Sequence, residues 1–474
     1  MKVRVEIIRK LDRYEPTNLG EQQTEIEFSV RGKVYCYGKY CEQGLSLPAF
    51  YHYPMVIDPD GSPWPDANRY LLSRLNGVVP AKHRTLESIA GDLAHFRHWM
   101  LEEEVDYQHI PERPRARPTY RYCSYLHDEL KFEHLKAGTA KRRMSSVQNF
   151  YRWLAGDGHN FEYPLWLENE ASLMFKDGRG FQRHKAVKTT DLTRSFKAIK
   201  SSDDYSEYIN DGGKLRPLPK EEQVALVESL RRVGNIEMLL AFLLALTTGA
   251  RLQTVFTLRR QHFEPWLREG ATAHRLKVGN GTLTNTKYGK QMVILIPGWL
   301  YRRVQVYLKS ERYLARVSRS KHVYKAEGEQ YAFLTRAGQP YYMADNDPFA
   351  FLYRSPPRGN AVTQFILQQL KPDLAKNGHE FEFRFHDLRA TFGMNLLEDK
   401  LVNYQRGGVA VANQPEFFNQ LMYVRERMGH SQLSTTEAYL NYRQKYHLAV
   451  HMQSEYEQYL EGLMNQFGGA DGLD

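Results

Sequence analysis

The chain has 474 residues, long enough for two or three domains with cores of their own, and 42% of them are hydrophobic, an ordinary globular share. Lys and Arg number 65 against 55 Asp and Glu, a formal net charge of +10, which suits a polyanionic partner because released counterions drive such association. No apolar run reaches bilayer length, MKVRVEIIRKLDRYEP lacks a signal-peptide core, and Cys36, Cys41 and Cys123 have no partner spacing, so a membrane span, a secreted disulfide framework and a zinc site are all excluded as expectations.

The fold class expected is mainly α with small β-sheets (α+β). Residues 1–63 form a β-rich N-terminal module. Within it Ile26, Phe28 and Val30 alternate onto one face and Arg31-Gly32 can turn the chain back. The stretch YPMVIDPDGSPWPD closes the module. Residues 64–168 read as helical. Leu86, Ile89, Leu93, Phe96 and Met100 recur at helical spacing behind Thr85 as N-cap, and Met144, Val147, Phe150, Tyr151 and Leu154 do so behind Thr139. The opposite face of the second helix carries Lys141, Arg142, Arg143 and Arg152; it is either a solvated face or one that meets phosphates. Residues 169–214 read as an irregular basic linker, with Arg183, Lys185 and Lys188 as candidate phosphate contacts. A second domain, 215–455, opens with Pro219 as a first helical residue, continues through apolar helices such as EMLLAFLLALTTG, and holds a β-rich patch, AHRLKVGNGTLTNTKYGKQMVILIP. A tail, 456–474, extends a further helix in which Leu448, Met452, Tyr456, Tyr459 and Leu463 line up.

Four short stretches of the second domain share a theme. TTGARLQTV sets Arg251 after a glycine, at the start of a new turn. TNTKYGK offers a lysine at a hairpin tip. HDLRATF puts His386 and Arg389 three residues apart, on one helical face. MGHSQLSTTEAYLNY carries His430 and, nine residues on, Tyr439. Each alone is an ordinary surface group. Together they are what metal-free attack on a phosphodiester requires. Guanidiniums hold the non-bridging oxygens through forked, charge-assisted bonds. Stabilising the charge that develops there is usually the largest catalytic contribution. A tyrosine with an ordinary pKa of about 10 needs a base or a cation nearby, and the departing sugar oxygen needs a proton.

The ordered set Arg251, Lys287, His386-x-x-Arg389, Gly429-His430 and Tyr439 resembles the tyrosine recombinase (phage integrase) family, whose motifs are G-x-R, a hairpin Lys, H-x-L-R-x-S/T, L-G-H and a tyrosine nine residues later. The likeness spans 215–455 and extends loosely to 64–168, which is similar to a core-binding domain. It implies that Tyr439 attacks a DNA phosphate to leave a 3′-phosphotyrosyl bond, that Arg251, Arg389 and His430 cradle the phosphate, that Lys287 protonates the leaving 5′-oxygen, and that His386 assists proton transfer at the tyrosine. It implies no metal, no ATP and no other cofactor. It also implies double-stranded DNA as partner, a homo-tetramer on DNA, and accessory proteins of a mobile element; the expected location, from the lack of a membrane span and of a signal-peptide core, is the cytoplasm, on the nucleoid when bound to DNA. Lys290 competes with Lys287 for the acid role. Thr254 stands where many members place an acidic residue that supports the first arginine. Residues 341–360 and 397–418 read as surface insertions. A DNA-binding protein that keeps the fold without catalysis, or a relaxing topoisomerase of related type, are the alternatives.

Overall fold

The computed structural model describes residues 2–16, 24–30, 33–39, 44–76, 81–176, 182–194, 196, 208–267, 270–345, 347–406, 422–442 and 457. They fall into two compact units. Among the described residues every sheet is a pair of antiparallel strands and the rest of the regular structure is helical, the α+β class expected.

The first unit comprises residues 1–177, 182–199 and 348–355. Strand β1 (Arg4–Pro16) pairs with β4 (Gly44–Ile57), with one register shift between Leu11 and Arg13. Strands β2 (Thr24–Val30) and β3 (Lys33–Lys39) pair antiparallel, with Val30 opposite Lys33; Arg31-Gly32, expected to turn the chain back, lies outside the described residues. Helices α1 (Pro65–Ser73), α2 (His83–Glu102), α3 (Pro118–Lys131) and α4 (Ala137–Gly156) pack around Trp64, Phe96, Tyr122, Phe150 and Tyr151. Both apolar stripes face this core; Leu86, Leu93, Phe96, Met144, Val147 and Leu154 are fully buried and Ile89 packs beside them. Each such side chain contributes roughly 1.5–3 kcal/mol by leaving water. The caps differ from expectation. Lys82 and Lys136 stand at the N-caps of α2 and α4 without a side-chain cap bond, so Thr85 and Thr139 lie inside the first turns. The stretch expected to be an irregular linker instead forms an antiparallel hairpin, β5 (Glu168–Lys176) with β6 (Gln182–Thr190), followed by the short helix α5 (Asp191–Arg194). The alternation of Ala171, Leu173 and Phe175 with Glu170, Ser172 and Met174 supports a strand, and the density of charge nearby masked it.

The second unit comprises 178–181, 200–347 and 356–474. It opens with a minimal hairpin, β7 (Ile209–Asn210) and β8 (Lys214–Leu215). Helix α6 (Lys220–Val233) follows, with Pro219 one position earlier than expected, at the N-cap. Asn235 caps α7 (Ile236–Thr248), its side chain accepting from the Met238 amide at 3.2 Å. Next come α8 (Leu252–Phe256), the antiparallel pair β9 (Ala273–Val278) and β10 (Met292–Pro297), α9 (Gly298–Leu308) and α10 (Glu311–Ser318). Helix α11 (Asn360–Phe365), a single π turn and α12 (Lys371–Lys376) lead to α13 (Asp387–Arg406). Two short helices close the described part, α14 at 422–428 and α15 at 433–442. Phe242, Phe256, Phe333 and Phe385 form the centre of the core.

The expected surface insertion at 341–360 is in good part interior. Tyr341 to Ala344 are buried, and the fully buried Asp347 carboxylate accepts from Tyr331 Oη at 2.5 Å and pairs with Arg259 at 3.3 Å. Arg259 also lies over the Tyr331 ring at 3.6 Å, so a polar sequence is drawn inward by a cation that needs a counter-charge. The first half of the other stretch, 397–406, continues α13 as helix; the rest of it and the tail stripe at 448–463 lie outside the described residues.

Candidate active site

Four segments of the second unit bring their polar side chains to one point. Helix α7 ends at Gly249, whose φ of 66° reverses the chain and sets Arg251 at the N-cap of α8. Arg389 sits in the first turn of α13, three residues after His386, which lies in the turn before the helix rather than on its face. Helix α14 ends at Gly429, with φ 64°, and the chain swings so that His430 points inward. Arg425 fastens that swing by donating to the carbonyls of His430 at 3.4 Å and Ser431 at 3.1 Å. This is why glycine precedes the histidine: only an αL residue ends the helix and aims the next side chain back. Helix α15 then carries Tyr439, fully buried, its ring 5.5 Å from that of His430.

The point of convergence is Asp211, at the tip of the β7–β8 hairpin, in the stretch read from sequence as linker. Its Oδ1 accepts from Arg251 Nη2 at 3.1 Å. Its Oδ2 accepts from Arg389 Nε at 2.6 Å, His430 Nε2 at 3.1 Å and Tyr439 Oη at 3.2 Å. Arg389 is held independently, donating Nη1 to Gly249 O at 2.8 Å and Nη2 to Met428 O at 2.5 Å. His430 Nδ1 pairs with Thr436 Oγ1 at 2.9 Å. Its Nε2 faces the carboxylate and its Nδ1 the Thr436 hydroxyl, so both ring nitrogens are engaged.

Charge at this point is unusual. Burial alone would raise Asp211, but the His430 hydrogen bond and the charges of Arg389, His430 and Arg251 outweigh it and hold the carboxyl well below the usual range. Tyr439 is pushed well above the ordinary tyrosine range, by burial first and then by the Asp211 charge. His386 is lowered to about 4 by burial, reinforced by Arg251 and Arg389, and is neutral at pH 7.

Lys287 begins a tight turn in the loop between β9 and β10, near the hairpin tip expected for it. A Cβ on Gly212 would lie 2.5 Å from its Nζ, so the lysine reaches the Asp211 turn. Lys290 points elsewhere, donating to Gly429 O at 3.0 Å. Thr254 does not support Arg251 through its hydroxyl, which donates to Asn285 O at 2.8 Å. The carboxylate beside Arg251 comes instead from Asp211, a residue the sequence reading missed; its only local signal was the turn-forming Asn210-Asp211-Gly212-Gly213. Beside His430 lies a groove of about 700 Å³ between β10 and α14, lined by Arg275, Lys290, Arg425 and Arg427 against the one carboxylate of Glu426, with apolar side chains such as Met292 and Met422 between them. Among the described residues no group of His, Cys, Asp and Glu could hold a metal ion, and no helix is long and apolar enough to cross a membrane.

The candidate DNA contacts of the first unit are placed differently from one another. Lys141 is exposed. Arg142 pairs with the buried Asp92 at 3.0 Å, and Arg143 donates to His95 Nε2 at 2.8 Å, so both serve their own helical bundle. Arg152 lies 5.1 Å over the Trp166 ring. Arg183, Lys185 and Lys188 lie on β6, with side chains outside the described residues.

No protein-family model matches the chain, and no curated protein matches it. Solved structures do. The XerH site-specific recombinase bound to palindromic difH substrate, in its post-cleavage complex, is 12% identical over 78% of this chain and 80% of its own, with a TM-score of 0.43. A lambda integrase dimer bound to a COC′ core site is 14% identical over 79% and 93%, with a TM-score of 0.42. The Tn1549 transposon integrase in complex with transposon right end DNA is 14% identical over 79% and 94%, with a TM-score of 0.43. By these comparisons the chain is similar, at low identity, to a site-specific recombinase and to integrases of solved structure.

Proposed function

We propose that the protein is a site-specific DNA recombinase of the tyrosine type, which cleaves and rejoins DNA through a 3′-phosphotyrosyl intermediate. The observation that carries this reading is the convergence of Arg251, Arg389, His430 and Tyr439 on a single anion, with the tyrosine oxygen 3.2 Å from it. A phosphodiester in that position receives one N–H donor from each of two guanidiniums and one from an imidazole, and it meets the hydroxyl at near-attack distance. In the step itself the Tyr439 Oη–P bond forms and the P–O5′ bond breaks. Neutral His386 takes up the tyrosine proton, and Lys287 delivers one to the departing 5′-oxygen. Negative charge gathering on the non-bridging oxygens is met by Arg251, Arg389 and His430. One phosphoester replaces another, so the reaction needs neither ATP nor metal, and the free 5′-hydroxyl of a second strand reverses it.

The partner in this reading is double-stranded DNA, held as a tetramer of the chain on two duplexes. The exposed Lys141 and Arg152 of α4, together with Arg183, Lys185 and Lys188 of β6, contact phosphates, while Arg142 and Arg143 serve mainly their own bundle. The cationic groove beside His430 suits the backbone flanking the cleaved bond.

The test is covalent trapping on duplexes taken from DNA flanking the gene, nicked so that the leaving 5′-end diffuses away. Wild type yields a labelled band shifted on a denaturing gel, and Tyr439→Phe and Arg389→Ala yield none. A full-strength adduct from Tyr439→Phe would remove Tyr439 as nucleophile.

A further inference from the structure

The recombinase reading leaves Asp211 without a task. A reaction on a phosphodiester needs donors directed at an anion, yet those donors are already engaged by a carboxylate of the chain itself. We propose that Asp211 is a built-in stand-in for the DNA phosphate, an autoinhibitory contact that keeps the site occupied until a phosphodiester displaces the β7–β8 tip; in its biological sense this rests on the recombinase reading.

Which atoms are engaged decides between a stand-in and a structural brace. Asp211 takes Arg389 Nε, Arg251 Nη2, His430 Nε2 and Tyr439 Oη. Arg389 has two other donors fixed on backbone carbonyls and His430 has its second nitrogen on Thr436. Both therefore hold their orientation without Asp211, and the donors it occupies are those left over for a substrate. Carboxylate and phosphodiester each carry one negative charge, so exchanging one for the other leaves the charge of the site unchanged. The two cannot be there together. A phosphorus atom positioned for attack lies about 3–3.5 Å from the nucleophile, and Oδ2 already stands 3.2 Å from Tyr439 Oη. The tyrosine also donates its proton to that oxygen, which keeps it in the unreactive form.

The mounting suits a part that moves. Strands β7 and β8 are two residues each, joined by only two residue pairs. Gly212 and Gly213 turn the tip at φ 73° and 159°, and Ile209 and Leu215 are its apolar anchors, in the cluster that also holds Tyr439. Gly212 passes so near Lys287 Nζ that the same tip covers the lysine expected to act as acid. Displacing one hairpin tip would free nucleophile, anion cradle and acid together.

The test uses the full chain and inorganic phosphate as probe, so it does not depend on knowing the DNA site. Thermal unfolding of wild type, Asp211→Ala and Asp211→Asn is followed in rising phosphate at constant ionic strength. Both variants are expected to unfold below wild type without phosphate, and to be raised by it, with phosphate binding at least ~10-fold tighter than in wild type. Adding Arg389→Ala to Asp211→Ala should abolish the response. Asp211→Asn keeps the side-chain volume and covers the case in which the alanine variant folds only with phosphate present. Midpoints of both variants as unresponsive as those of wild type would overturn the stand-in. The trapping assay is the second readout, and Asp211→Asn should form adduct several-fold faster than wild type. Slower adduct formation with unchanged phosphate affinity would make Asp211 a brace for Arg251 in the role Thr254 does not fill, and the proposal would fall. Tighter phosphate binding with no adduct from any form of the protein would uphold the stand-in and sink the recombinase reading instead.

Discussion

Gly393→Ala separates catalytic geometry from stability within one substitution. Gly393 lies in α13, where an added Cβ would stand 2.6 Å from Tyr439 Cε1, 3.0 Å from Cδ1 and 3.1 Å from Met428 Cε. Ordinary carbon contacts lie at about 3.5–4 Å, so the tyrosine ring must retreat by roughly 1 Å. A displacement of that size at a reacting atom costs on the order of 10²-fold in rate. Overpacking costs about 1–3 kcal/mol, and replacing glycine by alanine inside a helix returns about 1 kcal/mol, so the net loss of stability is only ~0–2 kcal/mol. The expected result is a folded protein whose covalent adduct on nicked duplexes forms about 100-fold more slowly. Gly91→Ala is the control: it also lies inside a helix, nothing stands within 4 Å of the new Cβ, and a gain of about 0.5–1 kcal/mol with unchanged trapping is expected. An adduct rate for Gly393→Ala within about 3-fold of wild type would refute the argument that α13 sets the position of the nucleophile.

Other outcomes follow from buried charge. Asp347→Ala strands Arg259, whose side chain is 2% exposed, and should cost about 3–5 kcal/mol in urea unfolding; a loss below about 1 kcal/mol would mean that Tyr324 and Tyr331 suffice as its partners. His95 is lowered to about 4 by burial and the neighbouring Arg143, and His262 to about 4 by burial and Arg259. Folding therefore excludes protons that the unfolded chain binds below about 6.5, so stability is whole above that pH and declines as pH falls toward 4. Equilibrium unfolding between pH 8 and pH 4.5 reads this out, and proton NMR at about pH 5.5 should find both rings still neutral.

Some of this was legible from local pattern alone. The apolar stripes of α2 and α4 follow from helical periodicity, and both face the core. The pairing of β2 with β3 follows from strand alternation. The Gly429-His430 junction follows from the need for an αL residue where α14 stops. Other elements depended on partners the sequence does not reveal. The basic stretch after residue 168 became a hairpin because two nine-residue strands could pair. Polar residues near 347 went inside because Arg259, 88 residues earlier, is buried and needs an anion. Arg142 and Arg143, which read as a free basic face, found Asp92 and His95 on α2.

The candidate site divides in the same way. Arg251, Lys287, His386, Arg389, His430 and Tyr439 are named from the order and spacing of short motifs that resemble those of a known family, and such spacing is visible along the chain. That Asp211 meets Arg251, Arg389, His430 and Tyr439 could not be read locally, since these partners lie 40, 178, 219 and 228 residues away. The physical reason is desolvation. Folding buries two guanidiniums and a tyrosine around one point, and burial makes a counter-charge there necessary, but only the three-dimensional path of the chain decides which carboxylate arrives.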